Sequence, residues 1–444
     1  MTGLSGKVQT LLDLPLIARA RAVTGVDRAV FFTLVGRGWS VVAGPLTLFF
    51  VARFLSKEEQ GFFYTFSSVV GLHVFFELGL AYVIMQAVSH EKAHLDWTPA
   101  GTLVGDANAK ARLASILRLA LKWYLGVGAL VFTALTIAGL LFFEKYEPPG
   151  STIDWRLPWV ALVIATGLGL MLTPFYGVLE GCGEIAKIAR LGVYKAILGS
   201  VVVWGALYTN LRLYAAPALT LISTGLVLCY LLTERRRRFF MDLFRTPIAP
   251  GGGVSWRYEI LPFQWKISLS WLSGYFIFQL ANPVMFRFHG AAEAGRLGMT
   301  MRIIDSITVL GAAWVSTKAA PFGSYVAKRD FAALDRVFWK ASLQSVAVVT
   351  LGAVSFILLY YALAAYQAEF IHRLLGPLAT CLLLANAIVS TVIFSQAMYL
   401  RAHKEEPFLI NSVIGAIMVS AILYFLGRPF GALGISAGLL CGGL

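Results

Sequence analysis

Along most of the chain, apolar positions come in runs of about twenty, separated by short polar connectors. A helix rising 1.5 Å per residue needs about that length to cross roughly 30 Å of hydrocarbon. Alternation over about ten residues, the mark of a membrane β-strand, is not the repeating unit. The pattern therefore predicts an all-α polytopic membrane protein. Twelve spans fall near 29–53, 62–88, 114–143, 158–180, 188–209, 213–233, 262–286, 299–321, 337–361, 371–400, 408–427 and 430–444. The last holds 15 residues, about 22 Å at helical rise, too short to cross alone, and reads either as the start of a truncated span or as a partial helix.

The polar intervals divide the chain further. Residues 1–28 carry Lys7, Arg19, Arg21 and Arg28 among apolar residues, with no cleavage-site pattern, and read as a cytoplasmic amphipathic lead-in. The longest connector, 234–261, carries "ERRRR" and "PIAPGGG" and reads as a flexible cytoplasmic linker. It separates an N-terminal six-helix lobe, 29–233, from a C-terminal one, 262–444. The arginine run reads as a stop-transfer cluster rather than a site for anionic lipid.

Composition agrees with the pattern. Of 444 residues, 58% are hydrophobic and 14% charged, and mean hydropathy is +0.74. A soluble protein of this size carries nearly twice that share of charge. Cys182, Cys229, Cys381 and Cys441 show no paired or metal-ligand spacing. With the N-terminus placed inside, 20 Lys and Arg near span ends fall on the inner side and 9 on the outer. That bias predicts cytoplasmic termini. It also accounts for most of the +14 net charge without a nucleic-acid partner.

One phrase occurs twice. "RFLSKEEQGFF" begins at Arg53 and "RFHGAAEAGRL" at Arg287, an offset of 234 residues. Arg53 matches Arg287, Phe54 matches Phe288, Glu59 matches Glu293 and Gly61 matches Gly295. Both copies join the first two spans of a six-span half. Because six is even, the halves enter the membrane in the same direction, which predicts a parallel pseudo-two-fold repeat. "LEGCGE" after the fourth span and "LRAHKE" after the tenth echo it weakly. The Arg and Glu of each copy read as hairpin fasteners suited to helix dipoles.

Catalytic motifs are missing. There is no GxxxxGK[ST] and no HExxH, and the outer connectors are too short for a catalytic domain. "GCGEIA", Gly181 to Ala186, matches GxGxxA but joins two spans, so its glycines read as a tight turn. No enzyme activity, cofactor or metal is expected.

Charges within spans cost about 2.5–3.5 kcal/mol at the bilayer centre on insertion scales, so each needs a reason. Arg37 lies in the first span, His73 and Glu77 four apart in the second, Lys266 in the seventh, and Arg302, Asp305 and Lys318 in the eighth. Arg118, Lys122 and Lys340 read as snorkelling to the headgroups. Lys195, in the fifth span, stands apart. Snorkelling also fits Lys266 and Lys318, a local ion pair fits Arg302 with Asp305, and a neutral acid bonded to a neighbouring helix fits Glu77. The functional alternative gathers Arg37, Lys266, Arg302 and Lys318 into a cationic lumen for an anionic substrate, with His73, Glu77 and Asp305 coupling an ion.

Three stretches carry a family resemblance. "ARFLSKEEQGFF…FELGLAYVIMQ" (Ala52–Gln86), Met301–Phe338 and "AMYLRAHKEEPFLINSVIGA" (Ala397–Ala416) resemble the bacterial polysaccharide-transporter family, which includes the O-antigen flippases. Gln60 stands where that family usually has Tyr or Phe. The resemblance implies the two-lobed fold of the multidrug/oligosaccharidyl-lipid/polysaccharide exporter superfamily, with spans 1, 2, 7 and 8 lining a V-shaped cavity. It implies ion-coupled flipping of an undecaprenyl-pyrophosphate-linked oligosaccharide, an O-antigen or exopolysaccharide unit, in the bacterial inner membrane. The implied partners are that lipid-linked oligosaccharide, membrane lipids, and a polysaccharide polymerase with its chain-length machinery. The competing readings are a multidrug/cation antiporter, a lipid II flippase, and a membrane glycosyltransferase or polymerase.

The cytoplasmic-ends topology is directly testable. An impermeant thiol reagent on intact cells should label cysteines placed in the Arg53–Gln60 loop and not in the 234–261 connector. The opposite pattern contradicts it.

Overall fold

The structure is a computed structural model that describes residues 28–443, except 74–76, 78, 148–149, 151, 249–251, 262–263, 266–267, 270–272, 274, 277–278, 319–320, 323–324, 327–328, 368 and 403–407. The lead-in and Lys266 lie outside the described residues. Helices account for nearly all the rest: α1 (Arg28–Phe54), α2 (Lys57–Val70), α3 (Leu80–Lys92), α4 (Ala107–Tyr146), α5 (Arg156–Gly181), α6 (Ile185–Tyr208), α7 (Ala215–Leu231), α8 (Glu234–Arg245), α9 (Ala281–Ser316), α10 (Phe331–Ala365), α11 (Pro377–Ala402) and α12 (Phe408–Gly443). Among the described residues, eight helices are long and apolar enough to cross a membrane. The end at which α1 begins is called the inner end.

Two helices run across a predicted span boundary: α9 joins the end of 262–286 to 299–316, and α12 covers 408–427 and most of 430–444. Gly290, at φ 83°, divides α9, and Gly431, at φ 54°, divides α12. Glycine reaches positive φ without a Cβ clash, so each is a place where the chain can turn back. The two turns touch: the His289 ring is hydrogen-bonded to the Gly427 carbonyl at 2.8 Å and lies beside Gly431.

The second span is not continuous, as 62–88 had suggested. After α2 comes one tight turn, Gly71–His73, and α3 restarts from Gly79 at φ 64°. Glu77 lies between that turn and Gly79. Broken helices at membrane depth persist where the freed backbone lines a polar space or packs in protein.

The largest buried side chains gather near the outer end. Phe62 and Phe66 from α2, Phe143 from α4, Trp155 and Trp159 around the start of α5, and Phe286 from α9 form one aromatic cluster with ring separations of 5.0–6.1 Å. Edge-to-face pairs of this kind add to simple area burial. Gly139 makes room for it, since a Cβ there would lie 2.1 Å from the Trp159 ring. Phe286 brings the C-terminal half into a core otherwise built by the N-terminal half.

The connector expected to be a flexible linker is largely folded against the N-terminal lobe. Its α8 buries Arg236, Phe239, Phe240 and Leu243. Phe239 meets Trp97 of a small antiparallel hairpin, β1 (Leu95–Trp97) with β2 (Leu103–Gly105), and Phe240 meets Phe175 of α5. Arg118, expected to snorkel, instead donates to the carbonyls of Phe244 and Thr246 at 2.8 and 2.6 Å and so caps the end of α8. Beyond it, Trp256 stacks on Trp123 of α4, and Arg112 bridges Glu91 and Glu259. The described parts of this connector, 234–248 and 252–260, thus form a strap against the lobe, held by the apolar face of α8.

The strap is anchored on a buried pair. Arg236 donates to Glu184, in the turn between α5 and α6 where Gly183 takes φ 85°. Burial alone would raise the Glu184 carboxyl, but hydrogen bonds from Lys187 and Arg236 outweigh it and hold the carboxyl below its ordinary value. Its contribution is therefore present above the ordinary value of 4.5 and lost only as pH falls through the lower folded value. Arg236→Gln should leave Glu184 with Lys187 alone and cost about 3 kcal/mol by the measured range for broken buried pairs. Thermal unfolding of the purified chain at neutral pH reads this as a lower midpoint; an unchanged midpoint contradicts the anchor.

Candidate functional site

The repeated phrase meets itself across the lobes. α2 and the part of α9 after Gly290 cross so closely that a Cβ on Gly61 would lie 1.8 Å from the Ala291 carbonyl oxygen. A Cβ on Gly295 would lie 2.8 Å from the Gly61 nitrogen and 2.9 Å from the Lys57 carbonyl oxygen. One turn inward, Gly298 receives the Tyr64 ring. Three small positions therefore let two backbones touch, as small-residue faces do in membrane helix pairs.

A buried polar lock surrounds this contact. Gln60, 1% exposed, donates through Nε2 to the Gly295 carbonyl at 2.7 Å. Arg373, from the turn before α11, donates through Nη1 to the Leu55 carbonyl at 2.6 Å and to Gln60 Oε1 at 3.3 Å. Each group is on the opposite lobe from its partner. The lock uses the position where Gln60 departs from the resembling family, which is the only signal the sequence offered for it.

In the first copy the Arg and Glu sit at helix ends as the dipoles favour: Arg53 is in the last turn of α1, and Glu59, in the first turn of α2, closes a capping box with Ser56 and pairs with Arg212 at 3.1 Å. Glu293 pairs with Arg296 at 2.7 Å. Arg287 lies over the rings of Phe288, Tyr146 and Tyr424 at 4.9–5.9 Å. Arg53 is exposed. The glycines, not the charges, carry the contact between copies.

Below the closure, α1 and α9 run antiparallel. Gly44 faces Ser306, and nearer the inner end Arg37 donates to Ser316 Oγ at 3.3 Å. Arg302 lies seven residues inward of Gly295, about 10 Å along the helix, and Ser316 about 21 Å beyond Arg302. Arg37, Arg302, Asp305 and Lys318 are all exposed. Among the ion pairs of the described residues, none joins Arg302 to Asp305. Exposed cations at both ends of the α1–α9 seam, with one carboxylate beside Arg302, form a surface able to hold a phosphate group.

His73 and Glu77 belong to a different space. Both line a cavity of about 280 Å³ inside the N-terminal lobe, with Thr166, Thr173 and Tyr176 of α5, Lys195 of α6, and Thr220, Ser223 and Thr224 of α7. Tyr124 of α4 donates to Glu77 Oε1 at 3.3 Å, the bond to a neighbouring helix that the acid needs. Lys195 lies 5.5 Å from the Tyr176 ring centre. Lys195, which stood apart in the sequence, is thus a neighbour of the His73–Glu77 pair. The hydroxyl-rich stretch Thr220–Thr224 was its one visible companion.

No family profile and no curated protein matches this chain. Solved structures do match over nearly its whole length. A multidrug resistance MATE family transporter of the MOP superfamily in an inward-facing conformation aligns with TM-score 0.61 at 15% identity, covering 93% of this chain and 94% of that one. The lipid II flippase MurJ in an inward closed conformation aligns with TM-score 0.60 at 12% identity, covering 93% and 85%. An outward-facing MATE family transporter of the same superfamily aligns at TM-score 0.51 and 15% identity, covering 94% and 91%. The chain has the two-lobed helical fold of these MATE and MurJ structures.

Proposed function

We propose that this protein is a flippase that carries a polyprenyl-pyrophosphate-linked oligosaccharide from the inner to the outer face of a bacterial inner membrane. The observation that carries this reading is the set of exposed cations Arg37, Arg302 and Lys318 beneath a sealed outer end. A pyrophosphate brings two adjacent anionic groups. Guanidinium binds such oxygens in bidentate fashion, and partial exclusion of water strengthens the attraction. The outer lock closes the far exit while the inner side admits the headgroup, and the lipid tail stays in the bilayer. Both termini are cytoplasmic in this reading, and the released product serves polysaccharide polymerase and chain-length machinery outside.

Coupling is assigned to Glu77 and His73. Their cavity is separate from the α1–α9 seam, so a proton and a pyrophosphate occupy different places. A proton bound at Glu77 changes the hydrogen bond with Tyr124 and favours one lobe conformation over the other.

Organic-cation antiport is the second reading, favoured by the MATE structures and by the half-buried carboxylate of Glu77. An acidic pocket attracts a cation, whereas the α1–α9 seam repels one.

Reconstituted vesicles separate the two. The parent should flip a fluorescent lipid-linked oligosaccharide and respond to an imposed pH gradient. Arg37→Ala should lower the rate at least tenfold and Arg37→Lys should restore part of it. Glu77→Gln should flip at a rate indifferent to the gradient. Unchanged flipping by Arg37→Ala, or ethidium export without lipid flipping, contradicts the flippase reading.

A further inference from the structure

The helix α8 has two faces. One is fixed to the N-terminal lobe through Arg236, Phe239, Phe240 and Leu243. The other carries Arg237, Arg238, Met241, Phe244 and Arg245, all exposed, at helical spacings of one, four, seven and eight from the first. Met241 is 46% and Phe244 40% exposed, and they lie between the arginines. Arg238 pairs with Glu234, but that pair is on the surface and contributes little. Arg237 and Arg245 have no acid within ion-pair distance among the described residues.

The place of the helix identifies what this face meets. The sixth span, Arg212–Leu231, is 20 residues long, and only Leu232 and Thr233 separate it from α8. Two extended residues reach about 7 Å, so α8 starts at the depth of the lipid headgroups. Further along the strap, Tyr258 is 75% exposed, a residue type that settles at that same depth. A soluble polyanion would satisfy the arginines but leave Met241 and Phe244 in water. A bilayer surface satisfies both.

We propose that α8 is a binding platform for anionic phospholipid headgroups, with Arg237, Arg238 and Arg245 on the phosphates and Met241 and Phe244 in the acyl boundary. The strap ties this platform to α4 and α5 through Arg118, Lys110 and Arg236, so bound lipid holds the N-terminal lobe at a set depth. The proposal rests on the position of α8 and is independent of which substrate the protein moves.

The test uses the full chain in mixed micelles of phosphatidylglycerol and phosphatidylcholine, with retained lipid counted by native mass spectrometry. The parent should retain phosphatidylglycerol preferentially. Arg237→Gln/Arg238→Gln/Arg245→Gln should weaken its retention more than tenfold, since each basic residue near an anionic surface contributes roughly a fivefold factor. Arg156→Gln, at the other end of the bundle, should leave it unchanged. A parent that shows no preference, or a triple variant that keeps it, overturns the proposal. So does displacement of the lipid by heparin at equal charge, which would mark a site for soluble polyanions. If the triple variant does not fold, a photo-crosslinker at position 241 of the otherwise native chain decides. It should label phosphatidylglycerol in membranes, and labelling of soluble partners alone overturns the platform.

Discussion

Backbone touches backbone where Gly61 meets Ala291 and Gly295, and this contact fixes the distance between the lobes at the outer end. Any side chain there would occupy space already held by a carbonyl. The contact brings α2 and α9 together at the level of the aromatic cluster, so Phe286 can enter it from the other half. It also brings Gln60 within reach of Gly295 and Arg373, which satisfies polar groups that the closure takes out of water. Toward the inner end α1 and α9 stay in touch, with Gly44 facing Ser306 and Arg37 donating to Ser316 Oγ.

The same economy appears at the inner face. Buried charges there are paired, as with Arg236 and Glu184, or used as helix caps, as with Arg118. A strap held in this way keeps the Phe239, Phe240 and Leu243 face of α8 out of water. The result is an N-terminal lobe with its own polar cavity, an inner surface covered by α8, and a close glycine-mediated contact with its partner lobe.

How much of this could be read from the chain depends on whether the determinant is local. Runs of apolar residues gave the spans, and the copies at Arg53 and Arg287 gave the repeat, because both are patterns along one strand of text. The role of the glycines within the phrase was not readable. Arg and Glu are conspicuous, but the decisive property of Gly61 and Gly295 is a missing atom, visible only when the other lobe is in place. The break at Gly71–Gly79 had glycines as its signal, outweighed by the apolar residues between them. The His73–Glu77 cavity draws on helices up to about 150 residues away, and no spacing rule reaches that far. In α8, Phe239, Phe240 and Leu243 did mark an apolar face, hidden beneath four consecutive arginines.

The central claim is that the Gly61–Gly295 contact holds the outer end shut and leaves the inner end open. Electron–electron double resonance between spin labels tests it, with one pair at Lys57 and Glu369 across the outer end and one at Lys187 and Arg336 across the inner. In the resting parent the outer pair should give a short, narrow distribution and the inner pair a long one. Gly61→Val should lengthen the outer distance and shorten the inner one together. Distributions that Gly61→Val leaves unchanged at both ends would contradict the account.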